Sequence, residues 1–220
     1  MTLVEVIVVL VVLVFLAALL LPITVASSCG KCQKISCINN LRQIDLAYKV
    51  WVGDNNDKYP METSVTNGGT MELANGNNAW INFAVMSNEL STPKILICPE
   101  DQSKTFATNF TTDFNNSHVS YFVGLDADED HPQILLLGDD NFEIGGVPVK
   151  SGPLELTTKS DVAWTSSRHF FAKAHFWTLT HLKLFGNIGL ADGSVQMVNN
   201  SGLINLLHQT GLATNRLAIP

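Results

Sequence analysis

The chain has 220 residues, of which 13 are basic and 20 acidic, giving a net charge of −7 and a pI near 5.2. That balance argues against a nucleic-acid backbone or an anionic lipid surface as the main partner, and the length suits one domain with a sizeable core plus an appendage. Charged residues reach only 15%, low for a soluble monomer, because none occurs between Val6 and Gly30.

Val6 to Ile23 is almost purely apolar, and the whole uncharged stretch from Val6 to Gly30 is long enough to cross a bilayer core of ~30 Å as a helix. A secretory signal or a simple anchor would carry Lys or Arg ahead of that run. Here the only early charge is Glu5. A carboxylate so placed is costly without a counter-charge. The least costly arrangement makes Met1 a cleaved terminus whose amine meets Glu5 of a neighbouring copy in a staggered bundle of helices. Removing one partner of such a pair costs ~3–5 kcal/mol. Ala26-Ser27-Ser28-Cys29 loosely resembles a lipid-attachment box. It keeps open an alternative, a membrane-tethered or lipid-anchored extracytoplasmic binding domain that does not polymerise.

Met1-Thr2-Leu3-Val4-Glu5 followed by an apolar run resembles the start of mature type IV pilins and type II secretion pseudopilins. The family's usual first residue is Phe rather than Met. The resemblance implies a prepilin peptidase cutting before Met1, N-methylation of Met1, and residence in the inner membrane before assembly. Pilus or secretion machinery would then stack the subunits into a cell-surface filament or a periplasmic pseudopilus, with other copies of the chain as the main partner. Pro22 also matches the family pattern. A proline there removes a backbone donor and kinks or locally melts the helix, which suits the loosening known in the family when subunits enter a fibre.

Beyond a short polar patch, Cys37, Leu41, Ile44, Tyr48 and Trp51 recur at spacings of four, three, four and three, one apolar stripe on a helix. Asn39, Asn40, Arg42, Gln43, Asp45 and Lys49 form the opposite face. The helix should end near Val52-Gly53, ahead of the turn-rich Asp54–Asp57 and Pro60. With no other strong breaker, the reading is one helix of about 50 residues, ~75 Å long, kinked near Pro22. Residues 1–28 would form the membrane or filament-core segment, 29–53 its amphipathic continuation, and 54–220 a β-rich head.

Four cysteines allow three pairings. Cys37 is either a buried thiol or half of a disulfide, and Cys98 ends an apolar run that could lie against the helix. In an extracytoplasmic protein a Cys37–Cys98 bridge is the favoured pairing, while Cys29 and Cys32 could pair with each other or across subunits. The second cysteine pair lacks the spacing of a zinc ribbon.

Within the head, Lys94–Cys98, Val119–Leu125, Gln133–Gly138, Gly186–Ala191 and Ser194–Asn199 read as strands, the last two joined at Asp192-Gly193 as a hairpin. Ala79–Ser87 and Gly202–Gln209 read as short helices, and Asn67-Gly68-Gly69 as a hairpin tip. The pattern supports an α+β fold, an antiparallel sheet packed on a long N-terminal helix, which is also the pilin-like architecture. The stretch from His181 to Asp192-Gly193 resembles the His-X9-Asp-Gly motif of a prepilin-processing-associated domain, here with ten intervening residues.

Asp126, Asp128 and Asp130 alternate, with Asp139-Asp140 downstream. Such carboxylates could supply oxygen ligands to Ca²⁺, the only cofactor the chain suggests, and related pseudopilins carry calcium in this half of the domain. No zinc-protease helix, nucleophile elbow or phosphate loop is present, so the chain reads as a structural subunit rather than an enzyme.

Overall fold

The computed structural model describes the backbone of residues 3–20, 25–73, 76–165, 168, 170–175 and 178–220, and their side chains except at 17–20, 25–32 and 170–183. Two helices open the chain, α1 (Leu3–Leu20) and α2 (Val25–Asp54), of 18 and 30 residues. The expected single helix of about 50 residues is therefore not formed. Pro22, expected as a kink within it, lies between the two and outside the described residues. A proline inside a helix costs about 3 kcal/mol through its missing donor and its clash with the carbonyl four residues back. The residue before it is also steered away from helical backbone. A tolerated kink understates that penalty.

Helix α2 ends where the turn residues begin. Asn56 and Asp57 take left-handed backbone, and the Asn55 and Asp57 amides both donate to the Val52 carbonyl at 3.1 Å. Two short helices follow, α3 (Ile81–Ala84) and α4 (Ser87–Leu90), within and just beyond the expected helical stretch. Lys94–Cys98 does not form a strand. Pro93–Leu96 is a 3-10 turn started by the Thr92 side chain, which accepts from the Lys94 amide at 3.4 Å. A proline at the first position and a threonine cap outweigh the apolar run. Asn67-Gly68-Gly69 closes a 3-10 turn, Val65–Asn67, rather than a hairpin.

Strands β1 (Tyr121–Gly124), β2 (Leu135–Asp139), β3 (Phe142–Ile144), β4 (Val147–Pro148), β5 (Gly152–Thr157), β6 (Val162–Trp164), β7 (Phe170–His175), β8 (Thr178–Leu184), β9 (Gly186–Leu190) and β10 (Val195–Val198) precede α5 (Asn200–Gln209) and β11 (Thr214–Ile219). Among the described residues they make a six-stranded antiparallel sheet ordered β10-β9-β2-β1-β11-β5, a three-stranded sheet β4-β3-β6 and the β7-β8 pair. The Asp192-Gly193 hairpin forms as expected, with Gly193 at φ 87°, a conformation that disfavours any side chain. Helix α5 covers the expected Gly202–Gln209, its first turn capped by the Asn199 side chain.

Alternation along the strands divides the core between the two faces of the large sheet. Tyr121 and Val123 point toward α2, whose stripe of Cys37, Leu41, Ile44, Tyr48 and Trp51 is wholly buried as expected. Phe122, Leu135, Ile188 and Leu217 point the other way, into a second cluster with Trp164 and Leu203, Leu206 and Leu207 of α5. A sheet covered on both faces explains why β1, β2 and β9 are buried along their whole length. At Gly186 a Cβ would fall 2.2 Å from the Trp164 ring, so the indole fixes that position as glycine.

Candidate functional site

Helix α1 is the first candidate. Every described side chain from Leu3 to Leu16 is exposed, the large apolar ones at between 43% and 78%. These residues sit on all sides of the helix, because fourteen consecutive positions at 100° each cover the full circle. Glu5 is an exposed member of the same helix and its only charge. Met1, the expected partner of a neighbour's Glu5, lies outside the described residues. Among the described residues no helix is long and apolar enough to cross a membrane; the 18 residues of α1 rise only ~27 Å, short of a ~30 Å core.

The cysteines are separated by their surroundings. Cys37 on α2 and Cys98 after the 3-10 turn are joined as a disulfide with Cα atoms 5.2 Å apart, both buried in the core beneath α2. Cys29 and Cys32 lie on α2, and their side chains fall outside the described set.

The three carboxylates expected to suit calcium do not converge. Asp126 accepts from the Arg216 backbone amide and Nε, each at 2.7 Å. Asp128 accepts from the His131 amide at 2.7 Å, with His131 Nδ1 2.8 Å from both of its oxygens. Asp130 is exposed. Among the described residues no group of three His, Cys, Asp or Glu side chains could hold a metal. Alternate residues in a loop share a face only if the loop stays extended. Here Asp126 lies just beyond β1, whose neighbour β11 supplies the arginine, and a local turn captures Asp128.

The downstream pair Asp139-Asp140 belongs to a buried ion cluster that sequence patterns did not suggest. Its centre is Arg168, whose Nη2 donates to both Asp101 Oδ2 and Asp140 Oδ1 and whose Nη1 donates to the Ser120 carbonyl at 2.8 Å. Ser103 and Ser120 hydroxyls donate to Asp101 at 2.6 and 2.7 Å. Asp139 accepts from the amide and side chain of Asn187 at 2.7 and 2.9 Å. Lys104 Nζ stands 4.0 Å from Asp140 and donates to the Asn116 carbonyl at 2.9 Å.

The charges shift one another's protonation. Burial pushes Asp140 up to about 6 against the pull of Arg168 and Lys104. Burial also acts on Asp101, but Arg168 and the serine donors outweigh it and hold that carboxyl below the usual range. Burial depresses Lys104. Asp101, Lys104, Asp140 and Arg168 of the cluster line a cleft of about 520 Å³ together with Val149 and Ser151. The arginine sits some 67 residues from Asp101, too far for any sequence spacing to signal.

Asp45 is the second finding outside the sequence pattern. Placed on the polar face of α2 by periodicity, it is only 4% exposed. Its Oδ2 lies against the Gly193 turn, where a Cβ would come within 3.0 Å, and its Oδ1 is buried without a hydrogen-bond partner. Burial raises its pKa to about 6 despite Lys49, with Asp192 and Glu129 adding to the rise. The Asp-Gly hairpin thus closes over α2 from the sheet edge. His181, the other end of the motif, lies on β8, with its side chain outside the described set.

Comparison of the chain with protein-family models, with curated proteins and with solved structures finds no match.

Proposed function

We propose that the chain is a structural subunit of a type IV pilin-like filament, joined to its neighbours through α1. One observation carries the reading: a helix apolar on every side, with each described side chain from Leu3 to Leu16 left in solvent. Such a surface is unstable in water, since each ~100 Å² buried contributes about 2.5 kcal/mol and patches this continuous mark interaction sites. A helix that is apolar all round needs neighbours all round, which a bundle of identical helices supplies. Stacked head-to-tail, such contacts close no ring and grow as an open helix.

Glu5 fits the same reading. In the assembled filament its carboxylate faces the Met1 amine of an adjoining copy. The head domain, pinned to α2 by the Cys37–Cys98 bond, then forms the outer layer. Before assembly the apolar surface requires another apolar host, which the inner membrane supplies. On this reading the chain is not an enzyme.

Shearing cell-surface material and imaging it by negative-stain electron microscopy tests the proposal. Fibres containing the wild-type chain are expected, and Glu5→Ala should reduce them at least tenfold while the head stays folded. A full-length chain that is monodisperse in detergent-free buffer would overturn it.

A further inference from the structure

The cleft beside the Arg168 cluster is built by separate segments of the head. The loop after Cys98 brings Gln102 and Lys104, the β2–β3 junction Asn141, the approach to β5 Val149 and Ser151, and the end of β6 Thr165. Its volume of about 520 Å³ falls within the ~300–1,000 Å³ of small-molecule sites. Asn141 is 7% exposed, and its Oδ1 has no hydrogen-bond partner among the described residues. Its Nδ2 reaches the Thr165 carbonyl only at 3.4 Å. A buried amide in that state carries the cost of an unmade hydrogen bond, which a donor seated in the cleft would relieve.

The charges of the cleft select against an ionic ligand. Arg168 already donates to Asp101, Asp140 and the Ser120 carbonyl. Lys104 Nζ donates to the Asn116 carbonyl at 2.9 Å and stands 4.0 Å from Asp140. An anion would find both cations engaged and would meet the Asp101 and Asp140 carboxylates. A cation would meet Arg168 and Lys104. The lining is too polar for an apolar ligand, because Gln102, Ser103, Ser151 and Thr165 add amide and hydroxyl groups that both donate and accept. Beside them exposed Pro148 and half-buried Val149 give an aliphatic strip. A neutral ring bearing many hydroxyls matches both parts, its C–H face on the strip and its hydroxyls on the polar groups. We propose that this cleft binds a neutral saccharide, with Asn141 accepting a hydrogen bond from a sugar hydroxyl and Val149 lying against the ring. No described residue of α1 lines it, so the inference goes beyond the polymer reading and does not depend on it.

The full-length chain, held in a detergent without a sugar headgroup, is titrated with lactose, cellobiose and diacetylchitobiose, and binding is read by saturation-transfer NMR. Galacturonate and glucosamine serve as charged controls. At least one neutral disaccharide should bind at millimolar concentration, and about tenfold or more tightly than either charged sugar. Asn141→Leu keeps the bulk of the side chain and removes an unbonded polar atom, so folding is unharmed or improved, while binding should weaken by about tenfold. Gln102→Ala, at an exposed position, should weaken binding roughly two- to tenfold and leave the urea midpoint unchanged. Binding by none of the three disaccharides, equal binding of a charged sugar, or undiminished binding by Asn141→Leu overturns the proposal. If Asn141→Leu does not fold, undiminished binding by Gln102→Ala overturns it equally.

Discussion

Replacing Asp45 by Asn should stabilise the protein at neutral pH and leave it almost unchanged in acid. The carboxyl is 4% exposed and its Oδ1 has no hydrogen-bond partner, so burial lifts its pKa from the ordinary 3.8 to about 6. The folded state therefore holds this proton more tightly than the unfolded chain does. Linkage then makes the stability contributed by Asp45 complete below about pH 4 and lost as pH rises toward and through 6. At roughly 1.4 kcal/mol per tenfold change in proton affinity, the loss has a ceiling of about 3 kcal/mol. Lys49, four residues along α2, and solvent at the rim of the site reduce it, leaving ~1–2 kcal/mol. Asn keeps the shape and never ionises. Urea unfolding of both proteins in mild detergent, followed by tryptophan fluorescence between pH 4 and 8, gives the difference directly. Other carboxylates, Asp140 included, cancel in that difference. A stability gap that stays constant across the range, or that shrinks toward pH 8, would refute the reasoning.

Two further outcomes follow from the core and the ion cluster. Cys98→Ser opens a bond closing 61 residues of sequence, so thermodynamic stability should fall by about 4 kcal/mol, and reductant should lower wild type toward the mutant but not affect the mutant. Arg168→Met strands Asp101, Asp139 and Asp140 in the interior at about 3–5 kcal/mol. Because Asp140 takes up a proton near pH 6, that loss should be smaller at pH 5 than at pH 8 in the same unfolding measurement.

Local patterns were readable where one periodicity was uninterrupted. The α2 stripe, the Asp192-Gly193 hairpin and helix α5 follow from residues within a few positions of one another, and each forms where expected. Two readings failed because a local device overrode the pattern. Pro22 stands where one helix was expected to run through, and Thr92-Pro93 starts a turn in an apolar run that resembled a strand. Strand β11 carries no clean alternation, since Leu217, Ala218 and Ile219 are buried in succession, and its pairing with β1 and β5 defines it instead.

The amino-acid order by itself determined that α1 is uniformly apolar around Glu5 and that α2 must bury one side, since both depend only on composition and helical period. Only the tertiary structure decided which carboxylates matter. It withdrew Asp126 and Asp128 from any shared site by giving them Arg216 and His131. It also gathered Asp101, Asp139 and Asp140 around Arg168 and buried Asp45 under the hairpin. The reason is physical: hydrophobic periodicity is a one-dimensional signal, whereas desolvation and charge pairing depend on groups that become neighbours only once the sheet has closed over the helix.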